Sequence, residues 1–134
     1  MAIAAIDPGR SKCGMAILSD DGEVIKREVV PTDEREAWLC REAGEHGVTA
    51  VALGNGTTGE EAAASVARAL PNVEIKLIDE YRTTEMARRE YWNVNPPKGW
   101  RKFIPRGLLF PPEPVDDLVA VILGRRFLRE RGET

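Results

Sequence analysis

The sequence has little of what staples a small secreted or zinc-held fold. Among 134 residues there are two cysteines, Cys13 and Cys40, with no C-x-x-C pairing, and a single histidine, His46. A disulfide framework and a Cys/His zinc site are therefore excluded as readings of the sequence. Two free thiols of the buried, small apolar kind are expected instead. Long hydrophobic runs are also missing: Val48–Leu53 and Leu118–Leu123 fall far short of the roughly 20 residues that span a bilayer. No basic segment leads into an apolar run at the start, so no secretory signal is expected and the expected location is the cytoplasm.

The remaining composition is that of a soluble globular chain, 43% hydrophobic and 31% charged. The length suits one domain, residues 1–134, with enough chain to bury a core unaided. The net charge of −3 conceals an asymmetry. Met1–Glu80 carries 8 Lys/Arg against 15 Asp/Glu, Tyr81–Pro112 carries 7 against 2, and Glu113–Thr134 carries 4 against 5. A chain that is acidic overall but has one basic segment can bind a polyanion locally, with marked salt dependence.

The pattern of apolar runs and breakers orders the elements. Ala2–Ile6 reads as a buried strand stopped at Asp7-Pro8-Gly9, and Cys13–Leu18 as a second strand. Ser19-Asp20-Asp21-Gly22 is a hairpin signal leading into an alternating strand, Glu23–Val30. Past Pro31, Thr32 or Asp33 caps a helix to about Glu45, with Glu36 in the capping-box position. A strand at Val48–Leu53, an Ala-rich helix at Glu60–Leu70, a strand at Val73–Ile78 and a helix from Thr83 or Thr84 to Trp92 follow. Asn93–Pro114 is rich in Pro and Gly and reads as a long functional loop before a last helix, Val115–Arg129. Three antiparallel strands followed by two parallel crossovers predict an α/β fold with a five-stranded mixed sheet flanked by helices.

Ligands of open α/β sheets sit beyond the carboxyl ends of the parallel strands. Asp7 ends the first strand, Asp79-Glu80 end the last, and Asp116-Asp117 open the final helix. Taken singly, each is ordinarily a solvated turn acid or a helix cap. Gathered at one edge, they would repel one another unless a cation held them. An all-oxygen donor set with no Cys or His suits Mg²⁺ or Mn²⁺, ions that serve phosphodiester hydrolysis.

Three stretches carry a family resemblance in order along the chain. I-D-P-G-R-S-K-C-G-M-A-I, from Ile6, resembles the first motif of the RuvC and YqgF nucleases of the ribonuclease H-like superfamily. L-I-D-E-Y-R-T-T-E-M-A-R, from Leu77, resembles the YqgF-type D-E-R-x-T-T-x-x-A signature, and P-V-D-D-L-V-A-V-I-L, from Pro114, is similar to the last motif. L-G-N-G at Leu53–Gly56 falls at the end of the fourth strand. The resemblance implies a ribonuclease H-like fold. It also implies a divalent-metal-dependent endonuclease of the kind that resolves Holliday junctions or processes pre-16S ribosomal RNA. By position it assigns Asp7, Glu80 and Asp116 as catalytic metal ligands, with Asp117 as an assisting neighbour. The implied partner is nucleic acid, structured DNA or precursor rRNA, and a homodimer is compatible with it. One departure stands out: Tyr81 occupies the family's Arg position, and Arg82 is displaced by one.

Lys98, Arg101, Lys102 and Arg106 surround Trp100 and Phe103 in the loop that leads to Asp116. Cations mixed with rings suit a nucleic-acid strand, while rings that merely anchor the loop are the plainer alternative. Arg82, Arg89 and Arg88 extend that basic zone, and Lys12, close to Asp7, is a candidate phosphate contact. Arg125, Arg126, Arg129 and Arg131 read as a solvated helix end favoured by the helix dipole, and His46 as structural. Two other functions compete. A non-catalytic ribonuclease H-like binding module would lack part of the acid set, all of which is present here. An actin-like ATPase needs two lobes, for which the chain is too short.

Overall fold

The computed structural model describes residues 2–56, 58–96, 99, 103 and 114–132. Strand β1 (Ala2–Asp7), strand β2 (Lys12–Ser19) and strand β3 (Val24–Pro31) form the antiparallel start. Helix α1 (Arg35–His46) follows a single 3₁₀ turn, then strand β4 (Val48–Gly54), helix α2 (Gly59–Ala69), strand β5 (Glu74–Ile78), helix α3 (Thr83–Val94) and helix α4 (Asp116–Gly132). The sheet order is β3-β2-β1-β4-β5, with β1 and β5 both parallel to β4. The five-stranded mixed sheet expected from the sequence is therefore present.

Alternation along the central strand β1 builds two cores. Ile3 and Ala5 face one way, toward Leu118, Val119, Leu123 and Phe127 of α4 and Ala87, Tyr91 and Trp92 of α3. Ala4 and Ile6 face the other way, toward Trp38 and Leu39 of α1 and Ala62 and Val66 of α2. Small side chains at the centre of the sheet let helices approach closely. The tightest approach is at Gly14 of β2, where the first carbon of any side chain would sit inside the backbone carbonyl of Asp116. Glycine there lets the start of α4 rest directly on the strand that faces Asp7, since Gly14 is the register partner of Asp7.

The turn signal at residues 19–22 is realised: Ser19 N–H donates to the Glu23 carbonyl at 2.9 Å, and Gly22 takes a φ of +91°. Two local expectations fail for tertiary reasons. No capping box forms at α1, because the Thr32 hydroxyl donates to the Gly9 carbonyl at 2.9 Å. Glu36 is drawn instead to the Ser65 hydroxyl and Arg68, both at 2.8 Å. Cys13 is buried, but Cys40 is exposed on α1 with its thiol toward the Ala69 carbonyl. No helix of the described residues is long and apolar enough to cross a membrane.

Gly14→Ala is expected to destabilise the chain by about 1–3 kcal/mol, because the obstructing atoms are backbone and cannot rotate away. Urea unfolding measures this, and a midpoint equal to wild type would show that α4 is not seated on Gly14.

Candidate active site

Each acid reaches the site by a different local device. Asp7 is the last residue of β1 and is followed by the stiff Pro8-Gly9 turn. Glu80 lies just past β5, in the four-residue connection to α3. Asp116 opens α4, whose start is pressed onto Gly14. The glycine-rich end of β4 makes room for Glu80. A side chain at Gly54 would collide with its Oε1, and one at Gly56 would stand 2.6 Å from Oε2. The L-G-N-G stretch thus forms a cradle for this carboxylate.

The three carboxyls feel one another. The Asp7 carboxyl is pushed up to about 7, first by burial, then by the negative charges of Glu80 and Asp116, and also by a hydrogen bond with Glu80. Glu80 Oε1 and Asp116 Oδ2 are buried without a hydrogen-bond partner. Lys12 Nζ lies 3.4 Å from the same Asp116 oxygen, close enough for an ion pair but without hydrogen-bonding alignment. Buried carboxylate oxygens without donors, beside a carboxyl that resists ionising, form a set that accepts a hard cation. The residues therefore fit a divalent metal. The carboxylates are not drawn as tightly as a preformed cage. Among the described residues, the group of donor atoms lying within 4.8 Å of one another is Glu42, Glu45 and His46. In that group Glu42 is already paired with Lys26 at 2.5 Å and Arg41 at 3.4 Å, with His46 Nε2 3.4 Å away, so its charge is matched by cations within the protein.

The remaining candidates divide. Asp117 turns away from the acids to Arg27 at 2.8 Å. Successive helical residues point about 100° apart, so only one of the two aspartates can face Asp7. Arg82 and Arg89 both pair with Glu85, each at 3.0 Å. Lys98, Trp100, Arg101, Lys102 and Arg106 lie outside the described residues.

Sequence reasoning missed two contributors. Asn55 Oδ1 accepts the Glu80 N–H at 3.3 Å, and Arg126 donates to the carbonyls of Asp79 and Tyr81, both at 2.7 Å. Arg126 is thus no solvated helix end: it reaches across to the loop that carries Glu80. Arg82, at the start of α3, adopts a left-handed φ of +58°, an uncommon conformation for a non-glycine residue that surrounding bonds must hold.

The fold is of the ribonuclease H-like class, a mixed sheet between helical layers; in this chain carboxylates stand at the end of β1, just past β5 and at the start of α4. Within that class the chain matches Thermus thermophilus RuvC over nearly its whole length, at a TM-score of 0.60 and 18% identity, covering 98% of this chain and 97% of that one. It also matches T. thermophilus RuvC in complex with Holliday junction substrate, at a TM-score of 0.63 and 19% identity, covering 100% and 97%. No protein-family model matches the chain, and no curated protein matches it by sequence. At this identity the likeness is one of fold.

The raised Asp7 carboxyl has a pH consequence. The native chain holds the Asp7 proton up to about 7, whereas the unfolded chain releases it in the ordinary carboxylate range. The folded group is thus the more basic, and its contribution to stability is full at low pH and lost as pH rises through 7. In chelator, wild type should lose stability between pH 5 and pH 8 relative to Asp7→Asn, by an amount on the order of 2–4 kcal/mol. Thermal melts of both proteins across that range test it, and parallel curves would show that Asp7 ionises freely.

Proposed function

We propose that the chain works as one domain spanning residues 1–134 and is a divalent-metal-dependent endonuclease acting on structured nucleic acid. The observation that carries this reading is the meeting of Asp7, Glu80 and Asp116 at one sheet edge, with the Asp7 carboxyl pushed up to about 7 by burial and by the other two. The full-length likeness in fold to RuvC, one of whose structures holds Holliday junction substrate, supports phosphodiester hydrolysis over other uses of an acidic edge.

In this reading Asp7, Glu80 and Asp116 hold Mg²⁺ or Mn²⁺, and Lys12 balances part of their charge. The ion supplies an activated water and stabilises the leaving oxygen when bound. Asp117, committed to Arg27, steadies the first turn of α4 and acts on the metal only through Asp116. Arg82, Arg89 and the basic residues Lys98, Arg101, Lys102 and Arg106 approach phosphates, and Trp100 offers a stacking face for an unpaired base. Four-way DNA junctions and precursor rRNA are the two substrate classes that this reading names, and a cytoplasmic location accords with both.

Labelled four-way junction, single-stranded DNA and precursor rRNA, incubated with Mg²⁺ or Mn²⁺, are the direct test, and cleavage of at least one is expected. Asp7→Asn should lower the rate by more than the roughly 10–100-fold that loss of an outer-shell partner costs, while the protein stays folded. Full activity in that variant would move the metal site elsewhere.

The loop generates a separate expectation. Neutralising Lys98, Arg101, Lys102 and Arg106 together should flatten the dependence of log affinity on log salt by about 0.7–0.9 per lost phosphate contact. An unchanged slope, measured at several salt concentrations, would remove the loop from the binding surface.

A further inference from the structure

The connection between β5 and α3 is four residues long and carries Glu80 at its second position. Most of its backbone polar groups have a partner. The Glu80 N–H donates to Asn55 Oδ1 at 3.3 Å, and the Tyr81 N–H to Asp79 Oδ1 at 3.1 Å. The Glu80 carbonyl accepts both the N–H and the hydroxyl of Thr83, at 3.1 Å and 2.8 Å. The carbonyls on either side, of Asp79 and Tyr81, are both taken by Arg126, one through Nη1 and one through Nη2. A planar guanidinium presents two donors in a fixed fork, so its two bonds set the spacing and direction of the peptide units that bracket Glu80.

The loop needs such a brace. The Glu80 carboxylate sits against Gly54 and Gly56 with Oε1 unpartnered and shares a hydrogen bond with the Asp7 carboxyl. Like charge at that edge pushes it outward, toward solvent. The next residue but one, Arg82, is held at a φ of +58°. Burial and backbone strain of this kind persist only when surrounding bonds over-determine them. Arg126 is ten residues beyond Asp116 on the same helix, about 15 Å along its axis. One helix therefore presents one acid at its start and braces the loop of another from about three turns further along.

We propose that Arg126 is a positioning residue: it clamps the peptide carbonyls flanking Glu80 and so holds that carboxylate in the geometry the metal requires. The inference rests on the metal-site reading given above. Its neighbour Arg125 supplies the control, because it bonds the Gly22 carbonyl at 3.1 Å and ties α4 to the β2–β3 hairpin, away from the acids.

The full-length protein, as wild type, Arg126→Ala, Arg126→Lys and Arg125→Ala, is compared by amide hydrogen exchange over residues 79–83 and by Mn²⁺ titration. Arg126→Ala should speed exchange in that segment at least tenfold and weaken Mn²⁺ binding by about 10–100-fold, the range for loss of an outer-shell partner. Arg126→Lys, a point donor that cannot span both carbonyls, should recover only part of each. Arg125→Ala should leave both within twofold of wild type, even where its melting temperature falls. Unchanged exchange in Arg126→Ala overturns the clamp, as does an equal loss of Mn²⁺ affinity in Arg125→Ala. If wild type itself binds no Mn²⁺, the metal-site reading fails separately, and the exchange measurement still decides whether Arg126 positions the loop. Should Arg126→Ala not fold, the same two readouts on Arg126→Lys decide: values equal to wild type in both overturn the proposal.

Discussion

Three carboxyls brought to one edge of a sheet repel one another, and much of this chain's architecture counters that repulsion. Asp7 responds by holding its proton to about 7. Glu80 and Asp116 respond through placement, each with a buried oxygen that makes no hydrogen bond. Without a counter-ion such an arrangement is costly, and the backbone beneath each acid is closely seated. Pro8-Gly9 stiffens the exit from β1, Gly14 seats the first turn of α4, and the Gly54–Gly56 cradle receives Glu80. Under the proposed metal-binding reading, a divalent ion would change the sign of the whole set, since the same unpartnered oxygens would serve as ligands.

α4 is the element that joins packing to chemistry. Leu118, Val119, Ala120, Val121, Leu123, Gly124 and Phe127 are buried, so the helix is apolar around most of its circumference, as befits one laid across the middle of a sheet. Four of its charged residues have specific partners or neighbours that matter to the site and its surroundings. Asp116 faces the acids, Asp117 pairs with Arg27, Arg125 reaches Gly22 and Arg126 reaches the Glu80 loop. A displacement of this one helix would alter the acidic edge at two points.

The charge distribution is likewise more constrained than the composition suggests. Arg82 and Arg89, two cations of the basic segment, converge on Glu85 and hold each other's counter-charge in common. The buried Glu42 gathers Lys26, Arg41 and His46 at the far end of α1. Pairs of this kind, largely exposed on their basic side, contribute little to stability, but they set which cations remain oriented toward solvent.

Most elements were legible along the chain, because apolar periodicity and breakers such as Pro31, Gly47 and Pro71 act over a few residues. The acids at the ends of β1 and β5 and at the start of α4 were legible for the same reason, since strand termini can be read locally and the parallel crossovers place them on one side. What the sequence could not decide was partnership through space. Thr32 abandons a local cap for the Gly9 carbonyl, and Glu36 leaves the capping box for Ser65 and Arg68. Cys40 stays exposed although its thiol points toward the Ala69 carbonyl at the end of α2. The choice between Asp116 and Asp117 rests on where Arg27 of β3 stands. Arg126 reads as an ordinary helix-end cation until the fold carries it to carbonyls 45 and 47 residues earlier in the chain. Propensity and pattern are properties of short windows. A guanidinium bonds whatever carbonyl the tertiary structure sets within 3 Å of it, and only the packing of α4 on the sheet determined which carbonyls those were.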